Sequence, residues 1–203
     1  MSAASVRRSP LALVVLAQLA EKPMHSYALW QLMRQRQKDQ IVNIASRNSL
    51  YQVMERLVRD GLAEVDSAER PDGRPERTVY RITDAGRSTA EAWVEELLGE
   101  PRSEYPSFPV ALSLAMLVSP DVALAALTRR RIAVARQRDE ARASLAAAEA
   151  MTLPPLFVLD DDYRATLLDA ELNWLDAQTA ELAAGTLTWS PEYMAEIAAR
   201  FAE

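Results

Sequence analysis

Ser49, Gln52, Arg56 and Arg59 recur at three- and four-residue intervals, the spacing that gathers side chains on one face of an α-helix. A hydroxyl, an amide and two guanidinium groups on such a face can hydrogen-bond base edges and phosphate oxygens, with Glu55 the one acid nearby. Between them Leu50, Val53, Met54 and Leu57 fall at i, i+3, i+4 and i+7, so the opposite face must be buried. Asn48 is suited to cap this helix and Gly61 to stop it. A polar helix face alone is usually only a wet surface. What flanks it decides the reading.

Two helices are predicted before it. Ser9-Pro10 is a strong start, cap then proline at the first helical position, for a helix to about Ala20 that is apolar nearly all round. His25-Ser26 caps the next, with Leu29, Leu32 and Met33 as its inner stripe. Polar residues from Arg34 to Gln40 and a loop through Asn43 and Ser46 lead to the helix described first. After Gly61, Leu62–Ser67 and Thr78–Thr83 alternate as strands do. Between them Pro and Gly keep a tip bearing Arg70, Arg74 and Arg77 out of the ladder. A hairpin with a basic tip is a wing. Three helices and a two-stranded wing make a winged helix-turn-helix, whose third helix would enter the major groove of DNA.

Thr83 caps a further helix through Trp93 to Leu98, and the proline-rich run from Gly99 to Pro109 marks a domain boundary. Residues 1–98 are expected to form the winged helix-turn-helix and residues 99–203 an all-helical second domain, giving a mainly α protein. In the second part a short helix covers Val110–Val118, and Ser119-Pro120 starts a long one to about Met151, roughly 45 Å in length. Val122, Ala125, Ile132 and Leu145 are its expected seam. After Pro154-Pro155, a helix from Asp160-Asp161-Asp162 to Ala184 carries Leu167, Leu168, Leu172, Leu175 and Trp174, with Gly185 as its stop; Ser190-Pro191 caps a last one.

Composition narrows the function. Net charge is -6, but residues 1–90 hold 14 Lys+Arg against 10 Asp+Glu, and residues 91–203 hold 9 against 19. A polyanion is drawn to the first part and repelled by the second. There is no cysteine, so disulfides and thiolate chemistry are excluded and a reducing cytoplasm is the expected location. No signal peptide is apparent, and Leu11–Ala17 is far below the ~20 residues of a membrane span. His25 is the only histidine, so a multi-histidine metal site is excluded, and the sequence singles out no serine and aspartate to complete a Ser-His-Asp triad with it. The three aspartates read as first-turn charges favoured by the helix dipole rather than a cation site. Neither a metal, a cofactor nor catalysis is expected.

Five motifs in order resemble the PadR-type transcriptional regulators: Pro23-Met-His-Ser-Tyr27, Asn48-Ser-Leu-Tyr-Gln52, Gly61-Leu-Ala63, Gly73-Arg-Pro75 and Tyr80-Arg-Ile-Thr-Asp-Ala-Gly86. Ser26 and Asn48 stand where that family has glycine, and Gln52 where it often has proline. Leu168–Leu175 is similar to the Glu-x-x-Trp-Leu helix of its longer subfamily, whose C-terminal helices interlock with those of a second chain. The resemblance implies a homodimer that presents two recognition helices to a palindromic operator, probing half-sites roughly one helical turn apart. It further implies that Asn48, Ser49, Tyr51 and Gln52 meet the groove, that Arg47 and Arg56 flank them, and that Arg74 and Arg77 reach phosphates from the wing. His25, Ser26 and Tyr27 would lie at the helix start near the DNA backbone, Tyr27 leaning to the core. A flat aromatic effector held by stacking is implied too, with Trp93 the residue singled out for it. The expected function is a transcriptional repressor released by that effector; the alternative is a winged helix serving as a protein-interaction module.

Overall fold

The computed structural model describes residues 8–43, 47–69, 77–101 and 103–201. The chain divides into two compact units, residues 1–103 and 104–203.

The first unit begins with α1 (Pro10–Glu21), capped by the Ser9 hydroxyl, which accepts from the Ala12 N–H at 3.2 Å. Then come the two-residue strand β1 (Met24–His25) and helix α2 (Ser26–Gln35), followed by α3 (Arg47–Arg59). The hairpin is β2 (Ala63–Glu69) and β3 (Arg77–Ile82), and α4 (Asp84–Gly99) closes the unit. The sheet has the order β1-β3-β2 and is antiparallel throughout. The β2-β3 hairpin is the two-stranded wing, and β1 extends it to a three-stranded sheet. Met24 opposite Tyr80 and His25 opposite Val79 add the extra strand, which fixes the start of α2 beside the wing. A bulge at Asp66 shifts the β2 register between Val65 and Ser67, and Val79 and Ile82 are both buried on β3.

One core fills this unit. Val15, Leu16 and Leu19 of α1, Leu29 and Met33 of α2, and Leu50, Val53, Met54 and Leu57 of α3 are its centre. Each such side chain contributes about 1.5–3 kcal/mol by leaving water. The exit of α3 explains two of the sequence motifs. Gly61 lies at φ +72°, its N–H donates to the Val58 carbonyl at 3.0 Å, and the Leu62 N–H reaches back to the Leu57 carbonyl at 2.8 Å. This is a Schellman stop. The Thr83 hydroxyl donates to the Gly61 carbonyl at 2.7 Å and accepts from the Gly86 N–H at 3.0 Å. A Cβ on Gly86 would sit 2.0 Å from the Leu62 carbonyl oxygen, so only glycine lets α4 start against the α3 exit.

The second unit contains α5 (Ser107–Ser113), α6 (Pro120–Ala150), α7 (Leu159–Ala184) and α8 (Pro191–Arg200). The Ser119 and Ser190 hydroxyls cap α6 and α8 as expected, and Gly185 at φ +72° stops α7. α6 and α7 pack along their lengths. Their seam differs from the sequence expectation. Ala123, Val134, Ala141 and Ala148 of α6 and Ala165, Leu168, Leu172, Leu175 and Leu182 of α7 are buried, Val134 packing with Leu168, Leu172 and Leu175, while Val122, Ile132 and Leu167 are exposed. Small side chains on α6 let the two backbones approach, which a hydropathy pattern does not reveal. Ion pairs line the seam: Arg130 with Glu171 at 2.6 Å, Arg131 with Asp176, and Arg142 with Asp169 at 2.7 Å. Hydrogen bonds from Arg142 and, secondarily, Arg138 hold the Asp169 carboxyl below the ordinary carboxylate range.

Candidate nucleic-acid interface

α3 carries the amphipathic division that its sequence spells, with its outer face turned from where the Ser49 periodicity puts it. Leu50, Val53, Met54 and Leu57 are all buried. Directly opposite, Asn48, Gln52, Glu55 and Arg59 are exposed at i, i+4, i+7 and i+11. Ser49 and Arg56 fall on one flank and are half-buried, and Tyr51, 48% exposed, lies on the other. The displayed groups are thus two amides, a carboxylate, a guanidinium and a phenol. No acidic residue occupies the first turn, so the positive end of the helix dipole is unopposed there by its own side chains.

Asn48 is not the N-cap, since α3 already includes Arg47. The position before Arg47 lies outside the described residues, as does the Arg47 side chain. Arg56 is also reassigned. Its Nη2 donates to the Ser9 hydroxyl at 3.0 Å, so the guanidinium braces the cap of α1 against the flank of α3.

The start of α2 stands beside the wing through β1. His25, not Ser26, is the N-cap: its Nδ1 accepts from the Ala28 N–H at 3.0 Å. A ring accepting there carries its N–H on Nε2. Ser26 is buried, which removes its side chain from the contacts expected of it. Tyr27 does the opposite of its expected lean to the core. It is 39% exposed, stacks between His25 and Trp30, and accepts from Gln31 Nε2 at 3.2 Å. Arg34 lies over the Trp30 ring at 5.2 Å. Sequence reasoning missed Trp30 and Arg34, although Tyr27, Trp30 and Arg34 at i, i+3 and i+7 signal side chains that meet along one side of the helix, with Trp30 half-buried against the core.

Most described arginines of this unit serve internal bonds. Arg8 pairs with Glu96, Arg59 with Asp60 at 3.0 Å, and Arg81 with Glu64 at 2.9 Å and Asp66 at 3.5 Å. Arg87 caps the end of α1 through the Ala20 carbonyl. Arg36 grips both oxygens of Glu21, one of them at 2.8 Å, and this hydrogen bonding holds the Glu21 carboxyl below its usual range. Counting charges along the chain therefore overstates the footprint. Arg74 lies outside the described residues. Arg77 is the first residue of β3, opposite Glu69 in the ladder, with its side chain outside the description.

Trp93 does not offer a ligand face. It is 9% exposed and belongs to the core of the first unit, packed where the α4 stripe meets the other helices. In the second unit Phe108 and Trp174 meet edge to face at 6.1 Å, and the Arg130 guanidinium sits 3.4 Å from the Phe108 ring centre. Among the described residues no cluster of His, Cys, Asp and Glu is arranged to hold a metal ion. No helix among them is long and apolar enough to cross a membrane.

Residues 15–92 match the profile of the transcriptional regulator PadR-like family. No curated protein matches in sequence. Among solved structures, PadR of Bacillus subtilis in complex with operator DNA is similar at a TM-score of 0.72 and 14% identity, over 86% of this chain and 99% of that one. The same protein in complex with p-coumaric acid gives 0.67 at 15% identity, over 85% and 98%. The virulence activator AphA of Vibrio cholerae gives 0.67 at 21% identity, over 86% and 98%. At these identities the likeness shows a shared fold, a winged helix followed by a helical region.

Proposed function

We propose that the chain, whose residues 15–92 match the transcriptional regulator PadR-like family, is a cytoplasmic DNA-binding repressor. It binds a palindromic operator as a homodimer and leaves it when an aromatic effector binds. The observation that carries this reading is the outer face of α3, where Asn48 and Gln52 stand exposed on a helix whose other side is locked into the core. Amides at those positions suit the paired donor and acceptor of adenine in the major groove. Tyr51 and, from the start of α2, His25 and Tyr27 supply hydroxyl and ring N–H groups for phosphates, while Arg47, Arg74 and Arg77 supply charge. Ser49 stands at the flank of the face. Ser26 and Trp93 are left out because both are buried.

The homodimer is supported by the second unit, where Tyr163, Leu167 and Trp174 form an exposed stripe on α7 at i, i+4 and i+11. The effector is supported by Phe108 and Trp174, a pair of rings meeting edge to face beside which an aromatic acid can pack. Mobility shifts on DNA upstream of the chain's own gene test the reading. Gln52→Ala is expected to lose about 1–3 kcal/mol on that site and little on random DNA. Arg74→Ala should weaken both and flatten the salt dependence by about one unit. Added p-coumaric acid should release the wild-type complex. Unaltered affinity and salt slope in both variants would rule out this face as the reader.

A further inference from the structure

The exposed pole of α3 includes an acid. Glu55 lies one turn beyond Gln52 and two beyond Asn48, on the same line of exposed residues. Arg59, the cation one turn further on, donates to the Asp60 carboxylate at 3.0 Å, so the nearest cation on this line of the face is paired with another acid. A carboxylate pressed towards a groove lined by phosphates raises the free energy of every complex unless a base offsets it with a hydrogen-bond donor.

We propose that Glu55 is a specificity-determining residue that requires a cytosine in each operator half-site. This rests on the reading of α3 as the recognition helix. In the major groove cytosine presents the N4 amino group, a donor a carboxylate can accept from. Adenine also presents an amino group, but its N7 acceptor lies beside it and repels the second carboxylate oxygen. Guanine and thymine offer acceptors there and leave the carboxylate without a partner. Asn48 to Glu55 spans about 10 Å along the helix, or roughly three base steps at 3.4 Å each. The cytosine therefore belongs to the same short run of base pairs that Asn48 and Gln52 address. Much of the discrimination is repulsive: the carboxylate weakens binding to wrong sequences more than it strengthens binding to the right one.

Selection from a randomised double-stranded oligonucleotide pool with the full-length protein tests this, comparing wild type, Glu55→Gln and Glu55→Ala. Glu55 is exposed, so both variants keep the core. Wild type should select a half-site with an invariant C·G pair, and exchanging that pair should cost about 5- to 150-fold in affinity. Glu55→Gln should shift the preference at that one position from cytosine to adenine, because glutamine pairs with the adenine N6 and N7 edge. Glu55→Ala should lose preference there and bind random DNA several-fold more tightly. Base profiles unchanged in both variants, or a wild-type site with no invariant C·G pair, would overturn the proposal while leaving DNA binding intact. A wild-type protein that selects no sequence at all would overturn the recognition-helix reading and this proposal with it.

Discussion

Arg56 shows how one hydrogen bond changes a residue's role. On the sequence it shares a polar periodicity with Ser49 and Gln52, and its guanidinium reads as a phosphate contact. In the fold its Nη2 donates to Ser9, whose hydroxyl also caps α1. Removing it leaves a half-buried cap with one fewer donor and unties α3 from α1. Arg56→Ala is therefore expected to lower the free energy of unfolding by about 1–2 kcal/mol, read from a denaturant midpoint at constant slope. Its effect on the salt dependence of DNA binding should be small, the reverse of what Arg74→Ala should show. A variant that binds DNA with a flatter salt slope and keeps full stability would return Arg56 to the phosphates. Helical spacing could not separate the two roles. Ser49, Gln52 and Arg56 lie within about 60° of arc, and only the packing of Leu50, Val53, Met54 and Leu57 fixes where the pole lies relative to that arc.

Among elements, what could be read in the sequence is what local chemistry decides. Ser9-Pro10, Thr83, Ser119-Pro120 and Ser190-Pro191 cap the helices they announce, and Gly61 and Gly185 stop theirs, because a cap needs only its own four residues. The features that were hidden depend on distant partners. β1 is two residues long and exists because β3 offers it a ladder. Tyr27 is outside and Trp93 inside because of what packs against α2 and α4, which neither residue type indicates. The α6 seam runs through alanines because α7 supplies the leucines. Gly86 combines both kinds of information: its motif is visible, but its necessity comes from the Leu62 carbonyl across the junction. With a Cβ 2.0 Å from that oxygen, Gly86→Ala must push α4 away from the α3 exit or break the Thr83 bonds. The expected cost is about 2–3 kcal/mol, measured by equilibrium unfolding. A loss under about 0.5 kcal/mol would mean that the junction is slack and does not fix the angle of α3.

For the molecule as a whole, the proposed homodimer is a matter for the second unit. α6 and α7 bury a seam only one row of small and branched side chains deep, whereas Tyr163, Leu167 and Trp174 remain outside on α7 and Val122 and Ile132 on α6. Exposed apolar side chains in such rows fit the proposed interface. The ion pairs on the inner side, Arg130 with Glu171 and Arg142 with Asp169, stiffen the hairpin without covering that outer row. A second copy of the chain is the partner that would cover it twice over by symmetry. Sedimentation equilibrium should then give two chains of 22.6 kDa, about 45 kDa. Leu167→Asp changes nothing buried in the single chain, so the fold should persist. In the dimer it places an unpaired charge in the interface, and the variant should sediment as a single chain. Operator affinity should fall with it, by about 10²–10⁴-fold, because the second half-site no longer binds at the high effective concentration that linkage provides. The half-site contacts of each head should survive, so a high protein concentration should still footprint the same bases. A Leu167→Asp protein that remains dimeric would place the interface elsewhere on the tail, and a monomeric wild type that still protects both half-sites with full affinity would remove the dimer from the mechanism.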